Sequence, residues 1–340
     1  MAPCGPTVWI RPGVASVTVE DITCGRYYDF LFAPAGGKLI VRRCYLFGYG
    51  RAFAFREARD VVRISEIHIV PNVEDPISWE HARLHAAITS SPRNTAFDFG
   101  AVDGYSVSDV AVFLCHTGFK LGATKREPFL DPITGEKVFF PWGQGPWGSL
   151  QNIKLDNCVV GLDCCLGTIL TNQLTNGMVH VSIRSQAAME TSEGIVASQA
   201  AFLVRPLFAG ATFQVQNLSI SSFRPSRVVA TAGMVHESEG RAFLLDCPSG
   251  LAPKDYAQRE EAHLEIMGGV ISNIPKTHFF AATEKTLSQV RIRGLVHNGV
   301  RVGDTPFLFF PVGTNQGLIV LSGRLETHAC SVRSEDIVGP

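Results

Sequence analysis

Short runs in which apolar and polar residues alternate recur along most of the chain, as in "SVTVEDITC", "KLIVRRCYLF", "VVRISEIHIV", "TFQVQNLSIS" and "SQVRIRGLV". A period of two predicts β-strands with one buried face. Between the runs stand Gly, Asn, Asp and Ser, residues that accept positive φ or bond the local backbone and so mark corners. Written from the strand that opens each unit, the chain reads "SVTVEDITCGRYYDFLFAPAGG", "KLIVRRCYLFGYGRAFAFREARD" and "VVRISEIHIVPN", the last resumed by "NTAFDFGAVD". The openings fall at Ser16, Lys38 and Val61, a degenerate repeat of a little over twenty residues. A short alternating strand cannot bury its inner face alone, whereas stacked repeats form one apolar column. The expected fold is therefore a right-handed parallel β-helix of three short strands per turn. It has a lead-in over 1–15, the β-helix over 16–330, insertions near 73–95, 123–148 and 248–262, and a tail over 331–340. Helical spacing is confined to "DPISWEHARLHAAI" and "APKDYAQREEAHLEI", both where a repeat is interrupted.

Composition narrows the picture. Apolar residues make up 46% of the chain and charged residues 18%, enough for a continuous core and against disorder. The net charge of -1 leaves no global field for nucleic acid or an anionic membrane, so neither is expected as a partner. No signal-peptide pattern opens the sequence and no long apolar run predicts a membrane span. The nine cysteines are odd in number and sit in apolar runs, which reads as reduced core residues. Cys158, Cys164 and Cys165 lack a Cys-x-x-Cys pair or a spaced histidine, and the ten histidines are scattered singly, so no metal and no cofactor is expected.

The segments "GRAFAFREARDVVRISEIHIVPN" and "TFQVQNLSISSF" resemble the rungs of pectate-lyase-like proteins, bacteriophage tailspikes in particular, and the similarity of pattern spans Thr7 to Cys330. That resemblance implies a homotrimer on a phage or phage-like virion, made in the bacterial cytoplasm and assembled with other virion structural proteins. It implies a receptor-binding protein for bacterial surface polysaccharide, capsule or lipopolysaccharide, or alternatively a depolymerase of that glycan, an endoglycosidase or lyase. The apolar run "TPFLFFPVG" is a candidate subunit contact. The opening acidic segment and particle-binding head of many phage members are not seen in this sequence.

Function on a repetitive scaffold is expected in the insertions. The second insertion sets Phe140, Trp142 and Trp147 among Gly and Pro, and the first carries Trp79 and His81. These five are the candidate carbohydrate-binding residues, because flat aromatic rings stack on the apolar faces of sugars. Cleavage of a glycosidic bond requires two carboxyl groups about 5 to 10 Å apart, and neighbouring strands lie about 4.8 Å apart. Asp98, Asp103, Asp109, Asp156 and Asp163 are the candidate catalytic carboxylates, weighed against the ordinary role of aspartate in capping corners.

Overall fold

A computed structural model describes residues 5–58, 60–70, 93–122, 129–130, 137–138, 145–166, 171–181, 199–206, 212–222, 240–245, 262–272, 280–282, 288–293, 296–298, 319–322 and 326–328. In chain order the strands are β1 (Val8–Trp9), β2 (Ser16–Ala33), β3 (Lys38–Ala58), β4 (Val62–Val70), β5 (Thr95–Val102), β6 (Tyr105–Leu121), β7 (Phe129–Leu130), β8 (Lys137–Val138), β9 (Gly148–Leu166), β10 (Thr171–Val181), β11 (Gln199–Pro206), β12 (Thr212–Ser222), β13 (Gly240–Leu245) and β14 (Ala262–Ser272). Five shorter strands follow between residues 280 and 328. Seventeen of the strands share one sheet, in which every pairing among the described residues is parallel; β7 and β8 form a separate antiparallel pair.

The repeat spacing read from the sequence reappears as register. Ser16 pairs with Lys38, Leu39 with Val62, and Val62 with Tyr105. Inward positions therefore line up across strands: Val19, Val41, Ile64, Val107, Leu150, Leu174, Val215 and Ile266 occupy one column.

The strands do not break at the corners, however. β2, β3, β6 and β9 run for 18, 21, 17 and 19 residues. Asp21, Arg43, Glu66, Asp109, Asn152, Asn176 and Asn217 all sit inside strands with φ between 51° and 57°. Each is a one-residue left-handed bend, called the bulge below, that falls at the same register position on neighbouring strands and shifts the alternation by one residue without ending the ladder or changing its register. β4 shows the effect: Val62 and Ile64 are buried before Glu66, and Ile67 and Ile69 after it, so both halves face inward.

Long bent strands can serve two neighbours. β3 pairs with β4 through Leu39–Phe47 and with β5 through Phe53–Ala58, and β4 and β5 both pair with β6. The ladder thus closes on itself, giving a six-strand parallel β-barrel with further strands outside it. This corrects the expected right-handed parallel β-helix: the chain is all-β, but the closed ring of long strands replaces a solenoid of three short strands per turn. The sequence suggested short strands because corner-type residues usually end strands, and here the ladder continues through them.

Phenylalanines fill the second half of the ladder. Phe53, Phe97 and Phe119 are register partners with 0% exposure, and their rings stack at 5.1 and 4.4 Å between centroids. Phe55 and Phe99, also register partners, meet at 5.4 Å with their planes tilted by 49°. Tyr27 closes over Gly48, where a Cβ would stand 2.4 Å from the tyrosine ring, so only glycine fits. Cys44, Cys115, Cys158 and Cys164 are buried free thiols in the same core, and burial pushes the Cys115 thiol up, as does its neighbour Cys158, 3.2 Å away.

Candidate functional site

Beyond the bulge, the outward positions of successive strands also align. Thr23, Tyr45, His68, Ala111, Lys154, Met178, Ser219 and Val270 form one column on the outer surface. The Tyr45 and His68 rings stack at 5.5 Å with 22° between their planes, and Phe47 leans on Tyr45 at 4.8 Å. Tyr45, Phe113, Met178 and Val270 are 41%, 36%, 49% and 36% exposed, high values for side chains of this kind. Phe113 lies two strands from Tyr45 and two residues along, on the order of 12 Å away. Polar groups border these rings on the next strand, β9: Lys154 is exposed within the column, and Asp156 is the register partner of Phe113. Flat rings beside hydrogen-bonding groups on a rigid sheet suit a ligand with alternating apolar faces and hydroxyls.

The bulge residues form a polar column along one border of this strip. Asn152 donates to Asp109 at 3.0 Å, Asn176 to Asn152 at 3.3 Å and Asn217 to Asn176 at 3.4 Å. At its other end the column is charged. Arg43 donates to both carboxylate oxygens of Asp21 at 2.6 and 2.9 Å, and that bond lowers the Asp21 pKa. Gln173, Gln214 and Glu265 make a second polar row on the outward face before the bulge, through bonds of 3.1 and 3.3 Å.

The five candidate catalytic carboxylates do not converge. Asp98 is 6% exposed and accepts from Arg56 at 2.8 Å, while Arg51 approaches the same oxygen at 3.5 Å and holds Asp29 with a second pair of bonds. Asp103 is exposed and accepts from the Trp147 indole. Asp109 belongs to the bulge column, and Asp156 lies beside Phe113 on the outer strip. Asp163 shares a register row with Asp98, but Lys120 stands between them, two strand spacings or about 10 Å in all. A carboxylate held by Arg56 and Arg51 is engaged in an ion pair, and this row has no second carboxylate adjoining it. Replacing Asp98 by asparagine is expected to lower unfolding free energy by about 2 kcal/mol, the scale of a buried bond to a charged group. Urea unfolding of the variant checks this, and an unchanged midpoint would assign the pair no structural role.

Of the candidate aromatic residues, Trp147 is half-buried and lies over Gly104, whose Cβ would meet the indole at 3.4 Å. Its ring is thus committed to the Gly104 turn and to Asp103. Trp79, His81, Phe140 and Trp142 lie outside the described residues, as do most of the insertions and the run at 305–313. Alternation alone does not single out the stacked Tyr45 and His68, although the sequence carries a signal for them: they are one repeat apart, at matching outward positions. Among the described residues no group of three or more His, Cys, Asp and Glu is placed to hold a metal ion.

The fold and site together define an all-β parallel barrel carrying an aromatic strip on its outer surface. No protein-family profile, no curated protein and no solved structure matches the chain.

Proposed function

We propose that the protein is a receptor-binding protein that holds an extended polysaccharide on its outer sheet face without cutting it. The observation that carries this reading is the stacked, solvent-facing Tyr45–His68 pair, with Phe113 beyond it and Lys154 and Asp156 on the strand beside Phe113. Rings held on adjacent strands lose little conformational entropy on binding, which suits an extended, repetitive ligand whose sugar faces can stack on them in turn. Binding is favoured over depolymerisation because Asp98, the most buried of the candidate carboxylates, is held by arginine. Attachment of a virion to bacterial capsule or lipopolysaccharide is the setting proposed for that binding, and a homotrimer displaying three such strips belongs to the same proposal.

The test is affinity electrophoresis through gels containing purified bacterial capsule or lipopolysaccharide, paired with reducing-end and unsaturated-product assays. Retardation without chain shortening is expected. The double variant Tyr45→Ala/His68→Ala is expected to weaken retention roughly tenfold, the loss that follows removal of an anchoring aromatic. Undiminished retention would remove the strip from the site, and shortening of the glycan would replace binding by hydrolysis or elimination.

A further inference from the structure

β2 has two halves with different neighbours. Its second half is covered by β1, which pairs Val8 with Leu31 and Trp9 with Phe32. Its first half, Ser16–Gly25, pairs with β3 on one side and with no strand on the other among the described residues. The apolar columns run out to this edge and stop there. Val17, Val19, Ile22 and Cys24 are half-buried, whereas their register partners Leu39, Val41, Cys44 and Leu46 are 2% exposed or less. An uncovered strand edge with unpaired backbone groups is a template for another strand.

Charge specifies what kind of strand. Glu20 and Asp21 on β2 face Arg42 and Arg43 on β3, with Arg43 bonded to both carboxylates, and Arg43 in turn lies in the field of Glu66 on β4. Over the first three strands the bulge row therefore runs acid, base, acid, as Asp21, Arg43 and Glu66, and it ends at the open edge on the acidic pair Glu20 and Asp21. The next strand in that series would be basic at the bulge and apolar at alternate positions on either side.

We propose that the Ser16–Gly25 edge is a docking site for an extended segment of a protein partner, which adds as a parallel strand. The segment carries two adjacent basic residues flanked on both sides by alternating apolar residues. The backbone edge supplies the hydrogen bonds, the half-buried Val17, Val19, Ile22 and Cys24 supply the apolar contact, and Glu20 and Asp21 set the register by meeting the basic pair. Lys38–Phe47 of β3 has that pattern, so its sequence is the natural probe.

The experiment titrates the full chain with a fluorescent synthetic peptide of the Lys38–Phe47 sequence, carrying Cys44→Ser to prevent oxidation. A second peptide also carries Arg42→Glu and Arg43→Glu. Because the changes are made in the peptides, the fold of the protein is untouched. Saturable binding of the first peptide is expected, at least about tenfold tighter than the second, with hydrogen-exchange protection gained within residues 16–25. No binding, equal binding of the two peptides, or protection gained elsewhere would overturn the proposal. So would self-association of the protein alone that blocks the peptide, since the occupant would then be a second copy.

Discussion

Replacing Phe97 by alanine is expected to remove about 3 to 5 kcal/mol of unfolding free energy, a large share of the stability of a typical domain. Phe97 has 0% exposure and is stacked between Phe53 and Phe119, its register partners on both sides. Its edge also meets Phe99 at 6.1 Å. Truncation would leave a cavity bounded by rings fixed on three separate strands, and a ladder held by backbone bonds on each side cannot collapse into it. The measurement is urea unfolding followed by tyrosine and tryptophan fluorescence, with Phe113→Ala as the comparison. Phe113 is 36% exposed, so its truncation is expected to change stability by about 0.5 kcal/mol or less. Equal losses at the two positions would mean that the phenylalanine column does not hold the barrel.

The second large effect is a loss of stability in mild acid. His116 is 7% exposed, shares a 2.9 Å hydrogen bond with the Thr117 hydroxyl through Nδ1, and has no partner for Nε2 among the described residues. Burial, and secondarily the Lys120 charge, pull its pKa down to about 4. In the unfolded chain the imidazole titrates near its ordinary value of 6.5. Between those two values the unfolded chain binds a proton that the folded chain refuses, so stability is full above the window and declines as pH falls through it. The decline amounts to ~3 kcal/mol once both values are passed. Comparing wild type with His116→Gln by urea unfolding at about pH 7 and about pH 4 isolates the contribution, because the carboxylates titrate in both. Parallel losses in the two proteins would show that the imidazole is not held neutral.

Much of the inward pattern was legible. Alternation picks out Leu39, Val41, Ile64 and Ile67 as buried, and the recurrence of strand openings at Ser16 and Lys38 gives their pairing directly. What periodicity does not reveal is how a strand passes through a corner. Arg43 and Glu66 have no special liking for positive φ, and only the column of like conformations on neighbouring strands holds them there. Read as stops, such residues yield many short strands; observed as bulges, they yield long ones that branch and close. The site was hard to see for a related reason. Tryptophans in insertions stand out because their rings lack a place in the repeat, whereas Tyr45 and His68 occupy ordinary outward positions and become a pair only when two strands are laid side by side. Asp98 illustrates the converse: a carboxylate conspicuous beside alternating phenylalanines turns out to be neutralised by arginines that its own strand does not carry.

The bulge column also dictates where this chain tolerates a change of length. Bonded members of the column are separated in sequence by 22, 43, 24 and 41 residues, yet they meet side by side in space. The longer intervals take up their extra length between strand ends, after Leu121 of β6 and after Val181 of β10, so peptides spliced at those ends leave the described register unchanged. A single residue deleted between a bulge and its flanking strand would instead turn every following side chain inside out, which makes insertion scanning a map of the ladder itself.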